Sequence, residues 1–357
     1  MSAPFDTGTQ AGISVYVRRI IPQLAKYCQL TILTPEPRLF SDCGRAIRIP
    51  DGVRFRIRRL AWVLTRLPAF CRGDFDVLLC LTPTVPVPSP LPTMAVLHDL
   101  TPLKVPSLNP LTEKASFFAG LQTLRFANGV FTDSRSTMAD FHAMNLLPPG
   151  RVNVAYCGPG IALSRQEPDY ARQFVPFMLY VGSHAPHKNV IRLISSFARV
   201  SAERDLKLVL VGTGSTEQLG RAARAISNEG LQSRVTLLNG VSDAHLSSLY
   251  KHCRLVVCPS LYEGFGLPVL EAMLHGAPIA CSSVSSLPEV AGNAALLFNP
   301  LSVEDMADKL QVLLSRPDLA MRLSEAGRNR APLFTWERAA STIYEGSALA
   351  AGSSQKR

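Results

Sequence analysis

Two glutamates, Glu263 and Glu271, bracket the run Gly264-Phe265-Gly266-Leu267-Pro268-Val269-Leu270. An apolar strand at 255–258 feeds this glycine-containing turn, and the turn feeds a helix. Pro268 suits the first helical turn, where a missing N–H leaves nothing unsatisfied. Gly276 suits the position that ends the helix. Backbone N–H groups at such a helix N-terminus make an anion site. A ligand with phosphates and hydroxyls could use the whole arrangement, N–H groups on the phosphates and carboxylates on sugar hydroxyls. That is the chemistry of a nucleotide-sugar. Alone, Glu271 reads as an acid complementing the helix dipole and Glu263 as an ordinary loop acid. The pair, with Gly-Phe-Gly-Leu-Pro between, argues for function.

Other segments could supply the remaining chemistry. Lys188 ends the run Tyr180-Val181-Gly182-Ser183-His184-Ala185-Pro186-His187-Lys188, at the start of a helix. Taken singly it is a solvated lysine. His98 follows an apolar strand in Leu97-His98-Asp99-Leu100-Thr101-Pro102. A strand-end histidine is usually structural, but the carboxyl end of a parallel strand is where ligands bind. Asp99 is expected to fix the His98 tautomer or to cap the next turn. Ser134 or Ser136 in Thr132-Asp133-Ser134-Arg135-Ser136 reads as an N-cap. Gly12, in Thr7-Gly8-Thr9-Gln10-Ala11-Gly12, would let a backbone approach phosphate or acceptor.

Elements to position these residues alternate along the chain. An amphipathic helix at 11–28 precedes strands at 30–33, 77–81 and 93–97, a helix continuing through 121–127, a strand at 129–132, a helix at 136–144 and a short strand at 152–156. A glycine- and proline-bearing linker is expected at 158–176. Strands at 178–181, 206–211, 235–238, 254–258 and 278–281 then alternate with helices at 190–201, 217–229, 244–251 and 268–275. Such alternation implies parallel sheets covered on both faces. Ser302-Val303-Glu304-Asp305 reads as a capping box, 334–348 as a last helix, and 352–357 as a polar tail. The reading gives domains at 1–165 and 166–332, with 333–357 a helix packing back toward the first. Met1-Ser2-Ala3-Pro4-Phe5-Asp6 does not read as a strand, so the first sheet is expected to lack its first strand.

The chain has 357 residues, 47% hydrophobic and 18% charged, a globular balance. The sequence carries no apolar span long enough for a bilayer and no secretory leader, so a cytoplasmic location is expected. The 8 cysteines form no C-x-x-C pair, and reduced thiols are expected. Asp74-Phe75-Asp76 is the sole D-x-D and precedes a strand, the wrong side for a metal–diphosphate site; no metal is expected. Net charge is +10, concentrated in Arg45, Arg48, Arg54, Arg56, Arg58, Arg59, Arg66 and Arg72. These interleave with Phe55, Ile57, Leu60, Trp62, Val63 and Leu64. The stretch reads either as an anionic-membrane surface, placing the protein peripherally at the inner face of the plasma membrane, or as one strand and one helix with a solvated face. No nucleic-acid motif accompanies it, and no nucleic-acid partner is expected.

The Glu-x7-Glu run resembles the signature of retaining glycosyltransferases of the GT-B fold, family 4, the glycosyl transferases group 1. The resemblance spans nearly the whole chain and is dense from about 176 to 341. It implies an α/β architecture of two Rossmann-like, doubly wound parallel-sheet domains facing a central cleft. By that resemblance, Glu263 lies by the donor sugar, Glu271 holds the ribose hydroxyls, and the backbone of Phe265, Gly266 and Leu267 meets the diphosphate. Lys188 matches the diphosphate-binding base. His98 faces the donor sugar. Gly12, Gly182, Gly264 and Val241, the last in a loop near the nucleobase, complete the expected donor contacts. The chain has Ser183 and His187 where members carry arginines, which lowers the expected count of phosphate-binding cations. Val96-Leu97-His98-Asp99-Leu100-Thr101-Pro102-Leu103 and Ser285-Ser286-Leu287-Pro288-Glu289-Val290-Ala291-Gly292 narrow the likeness to bacterial mannosyl-, rhamnosyl- and glucosyltransferases of O-antigen and exopolysaccharide. The implied function is hexose transfer from a nucleotide diphosphate sugar to a glycan or polyprenyl-linked glycan, with no cofactor. Other GT-B activities, such as a sucrose-type glucosyltransferase or a phosphorylase, and a non-catalytic scaffold of a membrane polysaccharide complex are the alternatives.

Overall fold

The computed structural model describes residues 12–54, 56–105, 111–163, 169–201 and 204–354. Residues 1–11, on which the expected loss of a first strand and most of the glycine loop fall, lie outside the described residues. The chain divides into two compact units, Met1–Gly160 with Thr335–Arg357, and Ile161–Phe334.

The first unit opens with α1 (Gly12–Leu24), which buries Tyr16, Val17, Ile20, Ile21 and Leu24, the 3.6-residue stripe of an amphipathic helix. Strands β1 (Thr31–Thr34) and β2 (Arg45–Arg48) pair in parallel as a small sheet. Helices α2 (Arg56–Thr65) and α3 (Leu67–Phe70) follow. The arginine-rich stretch is thus a strand and a helix: Arg45, Arg48 and Arg58 are exposed while Trp62 and Val63 enter the core. Strands β3 (Leu78–Cys80), β4 (Thr93–Leu97), β5 (Gly129–Thr132) and β6 (Val152–Val154) form a parallel sheet in that order. Helices α4 (Thr101–Lys104) and α5 (Leu111–Thr123) follow β4, and α6 (Arg135–His142) follows β5. Ser134, not Ser136, is the N-cap of α6, accepting from the Thr137 N–H at 3.0 Å.

The second unit is a six-stranded, wholly parallel sheet in the order β12-β11-β10-β7-β8-β9. Its strands are β7 (Phe177–Val181), β8 (Lys207–Val211), β9 (Val235–Leu238), β10 (Leu255–Cys258), β11 (Ile279–Ser282) and β12 (Ala295–Phe298). Between and after them run α7 (Val190–Ser201), α8 (Thr216–Asn228), α9 (Asp243–His252), α10 (Leu267–His275), α11 (Leu287–Ala291), α12 (Val303–Ser315) and α13 (Pro317–Arg330). The winding direction reverses between β7 and β10, the point where open parallel sheets leave a crevice. Helix α7 buries Val190, Leu193, Ile194, Phe197 and Val200 against this sheet. At the start of α12 only half of the expected capping box forms. Ser302 Oγ accepts from the Asp305 N–H at 3.0 Å, but the Asp305 carboxylate turns to the Asn299 N–H at 2.6 Å.

Helix α14 (Trp336–Ser354) rejoins the first unit and packs on α1, β4 and β5. It runs past the expected end, so the start of the predicted tail is helical. Trp336 Nε1 donates to the Pro159 carbonyl at 2.8 Å, and a Cβ on Gly346 would lie 2.7 Å from Phe131 Cζ. All eight cysteines are free, and no helix among the described residues is long and apolar enough to cross a membrane.

Candidate active site

The topology of the second unit decides which predicted residues meet. Because β7 and β10 are neighbours, the loops at 182–189 and 259–266 leave the sheet edge side by side. The Leu261 N–H donates to the His187 carbonyl at 2.7 Å, joining the two loops. Asn189, in the left-handed region at φ 61°, donates from Nδ2 to the Pro259 carbonyl at 3.0 Å and the Pro300 carbonyl at 2.7 Å. The result is that Lys188 Nζ donates to Glu263 Oε1 at 2.7 Å, across 75 positions of sequence.

Glu263 is held from several sides. Ser260 Oγ donates to the same Oε1 at 2.7 Å. The Glu263 N–H donates to Ser285 Oγ at 3.1 Å, and Ser285 Oγ donates back to the Glu263 carbonyl at 2.6 Å. Ser286 Oγ donates to the carbonyls of Glu263 at 3.0 Å and Phe265 at 2.7 Å. Burial alone would raise the carboxyl pKa. The charge and hydrogen bond of Lys188, with the Ser260 hydroxyl, outweigh it and hold Glu263 below its ordinary 4.5. Glu263 is therefore an ionised, oriented carboxylate. Sequence reasoning missed Ser260, Ser285 and Ser286 as its supports; the signal was their place in two motifs read for other residues.

Gly266 opens α10 at φ +114°, and a Cβ there would meet Leu287 Cδ2 at 2.8 Å. Leu267 and Pro268 form its first turn, and Gly276 ends it at φ 69°. Gly264 lies in the turn; the Phe265 ring is buried edge-on against Phe334, at 5.7 Å between centroids. Glu271 sits further into α10 than a dipole-complementing acid at the helix start. It is buried, and Oε2 accepts from the Tyr250 hydroxyl at 2.8 Å. Gly182 donates its N–H to the Val211 carbonyl at 2.9 Å, and a Cβ on Gly212 would lie 1.8 Å from the Gly182 oxygen, so these two loops touch backbone to backbone. Val241 is half-buried, just ahead of Ser242, the N-cap of α9.

His98 and Gly12 belong to the first unit. Gly12 is the exposed first residue of α1. His98 Nδ1 lies 2.8 Å from Asp133 Oδ2, Nε2 lies 3.3 Å from the Leu81 carbonyl oxygen, and the ring meets Tyr16 edge-on at 4.5 Å. Of the two roles expected for Asp99, fixing His98 or capping the next turn, it takes the second. Asp99 Oδ1 accepts from the Thr101 N–H at 3.0 Å, capping the next turn, and Asp133 takes the ring. Among the described residues no group of three or more His, Cys, Asp or Glu side chains could hold a metal ion, and Asp74 and Asp76 lie exposed ahead of β3.

Residues 171–330, which contain the Lys188–Glu263 pair and α10, match the family described as glycosyl transferases group 1. These residues belong to this family. A MMP alpha-(1->4)-mannosyltransferase of Mycolicibacterium hassiacum is 31% identical over 223 residues, 60% of this chain and 53% of that protein. The serotype-specific mannosyltransferase WbdA of Escherichia coli is 30% identical over 294 residues, 76% of this chain and 36% of WbdA. The chain thus spans about half the length, or less, of these curated relatives. Among solved structures, a sucrose-phosphate synthase from Thermosynechococcus elongatus superposes with a TM-score of 0.79 at 22% identity, covering 96% of this chain and 94% of that one. Two Rossmann-like units with parallel sheets and this likeness give the GT-B fold.

Proposed function

We propose that the chain is a retaining hexosyltransferase. It moves a mannose, rhamnose or glucose unit from a nucleotide diphosphate sugar to a glycan or lipid-linked glycan in cell-surface polysaccharide synthesis. The observation that carries the reading is Lys188 paired with an ionised Glu263 at the start of α10. In transfer, the bond from the anomeric carbon to the diphosphate oxygen breaks and negative charge collects on the leaving group. Lys188 and the positive end of α10 answer that charge. As the diphosphate takes Lys188, the Glu263 carboxylate is released to the hydroxyls of the donor sugar, and Glu271 takes the ribose hydroxyls. The acceptor oxygen attacks the face from which the diphosphate leaves, and a leaving phosphate oxygen takes its proton. The mannosyltransferase names of the relatives support the hexose class.

A thermal-shift panel of UDP, GDP, ADP and TDP with their sugar conjugates tests the donor. One nucleotide should raise the melting temperature selectively, and Glu263→Gln and Lys188→Ala should lose transfer from its sugar. Wild-type turnover in both variants overturns the reading. The exposed Arg45, Arg48 and Arg58, with Ile57 57% exposed beside them, further support peripheral attachment to an anionic membrane. Salt-sensitive binding to phosphatidylglycerol liposomes should weaken when the three arginines become serine; unchanged binding removes the membrane from the proposal. Liposome binding with no sugar transfer by the wild type would favour a scaffold.

A further inference from the structure

His98 and Asp133 lie 35 positions apart and in different motifs, yet the sheet register makes them neighbours. β4 pairs with β5 so that Leu97 faces Thr132, and the next residue on each parallel strand is His98 or Asp133. Both are buried, at 8% and 5% exposure. Each ring nitrogen of His98 faces an acceptor, the Asp133 carboxylate at Nδ1 and the Leu81 carbonyl at Nε2. A neutral imidazole donates from only one nitrogen; only the imidazolium satisfies both acceptors. Burial pushes the Asp133 pKa up, and the charge and hydrogen bond of His98 pull against it, so a carboxylate buried here needs the cation beside it.

The other ionisable groups in the cluster do not supply one. Tyr16, on α1, meets the His98 ring, and Cys157, beyond β6, lies against Asp133. Burial raises the pKa of both well above the ordinary range, so both stay neutral. Asp99 adds negative charge near the ring. For His98, burial disfavours the cation, but the charge and hydrogen bond of Asp133, then Asp99, outweigh it and the pKa rises.

We propose that Asp133 is a positioning residue for sugar transfer: it orients His98 and keeps both ring nitrogens protonated, so that the ring is a fixed hydrogen-bond donor to a substrate hydroxyl and never a proton acceptor. Nδ1–H is committed to Asp133. Nε2–H, held by the Leu81 carbonyl at the longer 3.3 Å, is the donor that a substrate hydroxyl would share. This rests on the transferase reading above.

The test reads the ring directly and without substrate. The full chain is labelled with 15N-histidine, and nitrogen–proton correlations are followed between roughly pH 5 and 9. Its 7 histidines are sorted by the signal lost in His98→Gln. The wild-type His98 should show two protonated nitrogens through neutral pH. In Asp133→Asn, with the anion gone and burial left to act, the ring should be singly protonated at pH 7. Asp133→Glu, which keeps the carboxylate, should restore the doubly protonated ring and serves where the Asn variant does not fold. In transfer assays Asp133→Asn should lower kcat about 10–100-fold, as for loss of a hydrogen bond to a charged group, and move the alkaline limb of the pH profile to lower pH. A wild-type ring singly protonated at pH 7, or identical ring signals in wild type and both variants, overturns the proposal. Absence of sugar transfer by the wild type sinks the transferase reading instead, and leaves the ring measurement to be read on its own.

Discussion

Lys188 spends its charge on Glu263, so each residue restrains the other. Two substitutions should therefore move nucleotide affinity in opposite directions. Lys188→Ala removes the cation and should weaken nucleoside diphosphate binding about 10–100-fold, the loss of one charge-assisted contact. Glu263→Gln frees Lys188 and should leave that affinity equal or higher while transfer is lost. Isothermal titration with the nucleotide chosen by the thermal-shift panel separates the two, and a common loss in both variants contradicts the pairing. The pair also sets an acid limit. Because the folded pKa of Glu263 lies below its ordinary 4.5, its stabilisation is present above that value and is lost as pH falls through the folded one. Urea denaturation of the wild type should weaken below about pH 4.5. Lys188→Ala should flatten that dependence and, above that pH, cost about 2 kcal/mol for the carboxylate left unanswered.

At the scale of elements, α10 depends on its first residue. Gly266→Ala asks a side chain to adopt φ +114° and to displace Leu287. The expected cost is about 1–3 kcal/mol, with loss of nucleotide affinity because the helix N-terminus must shift. Chemical denaturation and titration check both parts; an unchanged midpoint with normal affinity would show that the turn is not constrained.

This element also marks what sequence could reveal. Strands such as 255–258 and 207–211 were legible as apolar, β-branched runs buried on both faces, and α10 through its Pro268 and Gly276 punctuation. Strand β12 was not, because Ala295-Leu296-Leu297-Phe298 has no β-branched residue and is largely half-buried. Helix α2 was legible only as one of two readings of the arginine stretch, and α13 starts directly after α12 at Pro317 with no turn residue between them except Arg316. Glu263, Lys188 and His98 could be named from their motifs, but not their partners. Lys188 with Glu263 follows from strand order, and His98 with Asp133 from strand register, and neither is written in local sequence.

The whole molecule divides into one unit that is continuous in sequence, Ile161–Phe334, and one that is not, Met1–Gly160 with Thr335–Arg357. Both tryptophans, Trp62 and Trp336, lie in the discontinuous unit, so intrinsic tryptophan fluorescence reports on it selectively. Removing residues 335–357 takes away the helix that covers α1, β4 and β5. The Trp62 transition in urea should then move to lower denaturant. Nucleotide-dependent stabilisation of the other unit, which keeps Lys188, Glu263 and Glu271, should persist. Equal weakening of both transitions would mean that the units do not unfold separately.

The return of α14 to the first unit also sets an order of maturation on the ribosome. Synthesis proceeds at about 5–20 residues per second, and domains generally fold as units once their chain is available. The unit that begins second, Ile161–Phe334, has its full sequence first. The unit that begins first must wait for Trp336 to reach Pro159 and for Gly346 to close over Phe131. Until then Tyr16 and Phe131 belong to a nascent surface with an unfinished core, a stage at which chaperones have a substrate although half of the protein is already complete.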